Sequence, residues 1–284
     1  MKIGTRNYYI DKYGLEEGAR KMAEHGYESI DFNLADTESE YYTARDEDFV
    51  KRMYEIRSTL KKNGITVNQI HGPWRAPARD LSDDDRAERF AKMTKAMVMA
   101  KHLGAGYMAV HPLMPFGIDS PENPDEVYSI NKRYYSSLAN VAEALGVVIC
   151  LENMPFRSFP LSSSESIRAL VKDIDSPYVR MCFDSGHAHI MREPLGDTLR
   201  AIADVVRILH VHDNDGEDDM HLPPYDGNAD ISDLAEALYD IGFDGVLSLE
   251  TSPVSETEAA SLTDVEIAER EKNMARIAKI IAGI

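Results

Sequence analysis

The chain has 284 residues, with 31 basic side chains against 49 acidic ones for a formal net charge of −18. A surface that negative repels nucleic-acid phosphate and anionic lipid. No apolar stretch reaches the length of a membrane span, and the opening MKIGTRNYYI lacks the apolar core of a secretory leader, so the expectation is a cytoplasmic protein with no membrane partner.

In chain order, the first strand is KIGT at 2–5. A helix follows over Leu15–His25, with acids in its first turn and Gly26 at its end. SIDF at 29–32 is the second strand, and the next helix runs from Asp48 to Lys62, stopped by Asn63-Gly64. ITVNQIH at 65–71 and YMAVH at 107–111 are strands around a helix over Asp83–Leu103. That helix opens on three aspartates and closes on His102-Leu103-Gly104, matching the dipole at both ends. A helix over Asp125–Leu145 leads into VVICLE at 147–152, and one over Glu165–Ile174 leads into VRMCFD at 179–184. The remaining units are a helix over Pro194–Val205, RILHVH at 207–212, a helix over Ile231–Ile241, VLSLE at 246–250, and a final helix over Glu266–Ile281.

Eight strands alternating with eight helices predict an α/β protein, a single (β/α)8 TIM barrel spanning residues 1–284. No Gly-rich phosphate loop follows the first strand, as an open doubly wound sheet would usually show. Cys150 and Cys182 lie inside apolar strand runs, which suits buried packing on neighbouring strands and not a disulfide framework.

Six strands end on residues that ligate metals: His71, His111, Glu152, Asp184, His210 and Glu250. In a parallel barrel all those ends meet at one mouth. Crowded acids and imidazoles are costly there unless a cation compensates them, so the set points to a divalent metal. Two spacings extend it. Asp184-Ser-Gly-His187 can turn an imidazole toward the same centre, and Asp219-Met-His221 can present two ligands from one extended segment, although Asp219 also sits in a solvated acidic run. His189 and His212 are weaker candidates, with His212 read as a supporting or substrate contact. Trp74 is either packing at the rim or a hydrophobic wall for substrate, and Arg75 and Arg79 are either solvated surface or phosphate contacts.

LEN at 151–153, FDSGH at 183–187, HVHDN at 210–214 and LSLET at 247–251 together resemble the xylose isomerase-like TIM barrels, a superfamily that includes the AP endonuclease family 2. The resemblance runs over almost the whole chain. In its ketose 3-epimerase branch it implies one divalent ion held by Glu152, Asp184, His210 and Glu250. It further implies proton transfer by Glu152 and Glu250 through an enediolate that the metal stabilises, with His187 on a substrate oxygen. General chemistry agrees, because a carbon acid beside a carbonyl yields its proton to a carboxylate only when the developing oxyanion is stabilised.

The endonuclease IV branch resembles this chain at nine ligand positions, adding His71, His111, His187, Asp219 and His221 to the four and implying three zinc ions. The acidic loops NLADTESEYYTARDED and DNDGEDDM disfavour nucleic acid at the mouth. The reading is therefore a metal-dependent sugar, sugar phosphate or polyol isomerase or epimerase in carbohydrate metabolism, with Mn, Co, Mg or Zn as cofactor and room for more than one ion. The alternatives are a trinuclear zinc phosphodiesterase and an inosose dehydratase-like lyase. The resemblance also implies a homo-oligomer.

Overall fold

The computed structural model describes residues 1–74, 80–119 and 122–284, and the side chains of residues 46 and 256 are likewise left out. Arg75 and Arg79 lie outside the described residues. The strands are β1 (Lys2–Thr5), β2 (Ser29–Asn33), β3 (Thr66–His71), β4 (Tyr107–Val110), β5 (Val148–Glu152), β6 (Val179–Asp184), β7 (Val206–His210) and β8 (Val246–Leu249). All are parallel, in the order β7-β6-β5-β4-β3-β2-β1-β8. The ring closes just past β7. There the Val211 amide donates to the Ser248 carbonyl at 2.9 Å, and the Glu250 amide donates to the Val211 carbonyl at 3.1 Å. The result is the expected TIM barrel.

Around it run α1 (Tyr8–Tyr13), α2 (Leu15–His25), α3 (Glu40–Thr43), α4 (Asp46–Lys62), α5 (Asp83–Leu103) and α6 (Pro124–Leu145). The second half carries α7 (Ser164–Ile174), α8 (Ser185–Ile190), α9 (Leu195–Ala201), α10 (Ile231–Asp240), α11 (Glu256–Ala259) and α12 (Asp264–Ala282). The eight expected helices are all present. The additional ones, α1, α3, α8 and α11, have four to six residues each and lie in loops after strand ends. They are too short for an apolar stripe to reveal. The expected helix over Pro194–Val205 forms only as α9, because the chain turns at Ile202 toward β7. No helix among the described residues is long and apolar enough to cross a membrane.

The helix ends explain why the strands start where they do. Ser82 and Asp85 form a reciprocal capping box at the start of α5, and Thr263 and Glu266 form another at α12. Gly104 and Gly146 adopt left-handed φ of 85° and 71° after α5 and α6. Each lets the chain reverse directly into the next strand without the steric penalty a Cβ would bring.

Apolar residues on the outer faces of the strands pack against the helices in one large core. A separate small cluster of Ala109, Cys150, Cys182 and Ile208 fills the barrel interior. Each of these lies two residues before a strand-end position at the mouth, so the period of two that sends them inward sends His111, Glu152, Asp184 and His210 inward as well. Both cysteines are free and buried, as expected, and burial raises both thiols.

Candidate metal centre

The strand ends deliver His71, Glu152, Asp184 and His210 as last residues of β3, β5, β6 and β7, and His111 and Glu250 one residue beyond β4 and β8. Ligand atoms of Glu152, Asp184, His210 and Glu250 all lie within 4.8 Å of one another. Glu152, Asp184 and His210 are completely buried, and 12% of the Glu250 side chain is exposed. The same 4.8 Å limit holds within His71, His111 and Glu152, and within His187, His212, Asp219 and His221. All nine anticipated residues therefore meet at the mouth. His212, a weaker candidate from sequence, joins them, with Nε2 3.1 Å from Asp184 and its ring stacked on His221 at 4.1 Å.

Backbone carbonyls set which imidazole nitrogen faces the centre. Nδ1 of His71 lies 2.9 Å from the Gly72 carbonyl, Nδ1 of His187 lies 2.7 Å from that of Asn153, and Nδ1 of His221 lies 2.7 Å from that of Glu250. With Nδ1 held by a carbonyl, each ring turns Nε2 inward, the nitrogen that can bind a metal once it has lost its proton. His210 is oriented the other way. Its Nε2 lies 2.8 Å from Asp31, and its Nδ1 lies 2.7 Å from Glu152 and 3.0 Å from Glu250.

Local structure fixes the rest. Asp184 caps α8 by accepting the His187 amide at 2.6 Å, which sets the turn that aims His187 inward. Asn153 donates to the Asp184 carbonyl and accepts the Asp184 amide, locking the end of β5 to that of β6. Gly186 leaves the space that the His212 ring occupies, and a Cβ there would overlap it. Asp213 accepts four amides, those of Asn214, Tyr225, Gly227 and Ala229, and so folds the loop that carries Asp219 and His221.

The charges need a compensating cation. Burial works against ionising Glu152 and Glu250, but the neighbouring His210 charge outweighs it and holds both carboxyls well below the usual range. Burial opposes the charge on His187, yet Asp184 and Asp219 push it up to about 10. Against the same opposition, Asp219 lifts His221 to about 9. Burial drives His111 down to about 4. Protons on imidazoles thus balance the acids, and a divalent ion can displace them by taking the same balancing role. Glu152 Oε2 is buried without a well-aligned hydrogen bond, with His111 Nε2 3.3 Å away. That oxygen, the inward Nε2 atoms and the mixed N/O donors fit a divalent metal.

Above these residues lies a cavity of about 290 Å³, near the small end of ligand sites, which run from roughly 300 to 1,000 Å³. Trp74, Met154, Pro155 and Phe156 form an apolar wall, and Trp74 packs edge-on against His111 with centroids 4.4 Å apart. Behind it, Arg89 pairs with buried Asp80 and donates to the His111 carbonyl at 2.7 Å. Sequence reasoning missed Asp31, Gln69, Asn33 and Arg6. A signal for two of them existed: Ser29, Asp31 and Asn33 alternate along β2 as an inward polar stripe in an otherwise apolar strand.

Known proteins resemble this chain in sequence and in fold. An uncharacterized protein of Methanocaldococcus jannaschii is 29% identical over 96% of this chain and 94% of its own length. Fructoselysine 3-epimerase of Escherichia coli O157:H7 is 26% identical over 69% of this chain and 67% of its own. The crystal structure of a D-tagatose 3-epimerase-like protein superposes with a TM-score of 0.76 at 26% identity, covering 100% of this chain and 98% of that one. The family model for the xylose isomerase-like TIM barrel matches residues 19–276, and the chain belongs to that family.

Proposed function

We propose that this chain is a divalent-metal-dependent isomerase or epimerase acting on a small sugar or polyol. The observation that carries the reading is the convergence of Glu152, Asp184, His210 and Glu250 within 4.8 Å beneath a cavity sized for a small molecule. The epimerases among its relatives support it. Glu152, Asp184, His210 and Glu250 would hold the ion, which could be Mn, Co, Mg or Zn. When bound, it supplies positive charge beside the oxygens of a carbonyl and its neighbouring hydroxyl, and so makes the C–H between them more acidic.

The chain's own residues do the rest. Glu152 comes from β5 and Glu250 from beyond β8, so the two carboxylates approach a sugar in the cavity from different sides of the barrel. One removes the proton and the other returns it on the opposite face, which inverts the carbon. His187, which lines the cavity, donates to a substrate oxygen. Trp74 and Phe156 exclude water from one side of the sugar. The test is turnover in D2O over a panel of ketoses and inososes with metal restored. Wild type should place solvent deuterium on the reacting carbon, and Glu152→Gln or Glu250→Gln should lower kcat by about 10²–10⁴-fold. Unchanged turnover in both variants would remove the proton-transfer assignment. A product lighter by one water would indicate dehydration, as in an inosose dehydratase.

A second reading has its own observation. His71, His111 and Glu152 form one further donor group, and His187, His212, Asp219 and His221 form another, so the mouth has donors for more than one ion. That suits an endonuclease IV-like phosphodiesterase with three zinc ions. Against it stand the small cavity and the net charge of −18. Three zinc ions per chain together with nicking of an abasic duplex would favour it over the sugar reading.

A further inference from the structure

Among the described residues that line the cavity, Arg6 is the arginine, and the metal chemistry does not use it. Gly4 pairs in register with Ser29 of β2 and Ser248 of β8. Ser29 shares the inward stripe of Asp31, and Ser248 lies two residues before Glu250, so alternation carries β1 inward at Gly4 and again at Arg6. Arg6 is thus the strand-end residue that β1 contributes to the mouth, in the position that other strands fill with metal-binding types. It is partly buried and lines the cavity together with Asn33 and Glu250.

Arg6 makes no hydrogen bond or ion pair with any described residue. Its charge is felt at Asp11, where burial pushes the carboxyl up and Arg6 only partly offsets that, without reaching it as an ion pair. Other described arginines near the mouth are committed. Arg89 is paired with Asp80, Arg157 binds the Ile190 and Gly216 carbonyls and Glu217, and Arg192 binds Glu217. An unpaired guanidinium beside a small cavity offers a planar fork of donors that matches a carboxylate or phosphate. A neutral sugar would offer that fork only hydroxyl oxygens, without the charge pairing and bidentate match of a carboxylate or phosphate. In a chain carrying −18, an anionic substrate is repelled at long range, and a local cation at the binding point is what would retain it.

We propose that Arg6 binds an anionic substituent on the substrate, making the preferred substrate a ketose that carries a phosphate or carboxylate at the end remote from the reacting carbon. This rests on the sugar reading above. Arg6 here is a specificity-determining residue. It takes no part in moving the proton.

The experiment is calorimetric binding to the Mn-loaded protein with four probes: D-fructose, D-fructose 1-phosphate, D-fructose 6-phosphate and D-fructuronate. Arg6→Met and Arg6→Lys are compared with wild type. D-fructose 6-phosphate or D-fructuronate, charged at C6, should bind at least about tenfold more tightly than D-fructose, and D-fructose 1-phosphate, charged beside the carbonyl, should not. Arg6→Met should erase that preference while leaving metal content unchanged. Arg6→Lys should keep part of it, having the charge without the fork. A gain confined to D-fructose 6-phosphate identifies a sugar phosphate, and one confined to D-fructuronate identifies a sugar acid. An anionic preference that survives Arg6→Met, or the absence of any preference, overturns the role of Arg6 and leaves the proton-transfer reading standing. Failure of all four probes to bind overturns both.

Discussion

Asp31 on β2 and His210 on β7 meet inside the barrel, with Oδ2 2.8 Å from Nε2, and Gln69 of β3 donates to the same oxygen at 3.1 Å. A carboxylate on the far nitrogen does two things to an imidazole. It fixes the ring so that Nδ1 points at Glu152 and Glu250, and it makes Nδ1 a stronger donor to a metal.

Loss of Asp31 should therefore weaken metal binding. Asp31→Ala is expected to lower affinity by about 10–100-fold, with Asp31→Asn intermediate because it still accepts the hydrogen bond. Competition against a chromogenic chelator measures this directly, and circular dichroism checks that the barrel is intact. Wild-type affinity in Asp31→Ala would mean that packing alone orients His210.

Removing the metal should cost stability. An ion present at about 100–1,000 times its dissociation constant stabilises the folded state by roughly 3–4 kcal/mol. At about 2–4 °C per kcal/mol, chelation should lower Tm by about 6–16 °C. Calorimetry with and without chelator, across a metal titration, tests it. A Tm that does not depend on metal concentration would argue that the imidazolium–carboxylate pairs already compensate the site.

Gly186→Ala should be destabilising although it adds one methyl group. The new Cβ would collide with the His212 ring, which is fully buried and stacked on His221. Overpacking of this kind costs about 1–3 kcal/mol. Urea unfolding should report the loss. Because the proposed ligand Asp184 precedes Gly186 by two residues and caps the helix that holds it, metal content should fall as well.

Asp80→Ala should be among the most damaging changes away from the carboxylates. Its side chain is 5% exposed, and that of Arg89 is 7% exposed. Burial opposes the Arg89 charge, but Asp80 outweighs it and keeps the guanidinium above its ordinary value. Stripping the partner from a buried charge costs about 3–5 kcal/mol. Arg89 also holds the His111 carbonyl, and Asp80 accepts the Met114 amide at 3.0 Å, so the segment after β4 should loosen. Denaturant midpoints, and increased amide exchange across residues 111–114, are the measurements. A midpoint within error of wild type would contradict the account.

The chain's own order determined the barrel and most of the mouth. Strand and helix periodicity, glycine stops and acidic first turns are local signals, and Leu15–His25, Asp83–Leu103 and Val179–Asp184 form over the expected residues. His71, Glu152, Asp184 and His210 were legible because each ends a strand, and a parallel barrel sends all such ends to one face. Tertiary structure decided what periodicity does not encode. The Asp31–His210 contact joins residues 179 apart, and nothing in SIDF marks that aspartate as the partner of a particular histidine. The choice between Nδ1 and Nε2 depends on where the Gly72, Asn153 and Glu250 carbonyls lie once the loops are folded. Arg6 became a candidate for the same reason: only the register of β1 between β2 and β8 brings it into the cavity, and only the packed structure shows that no described residue pairs with it.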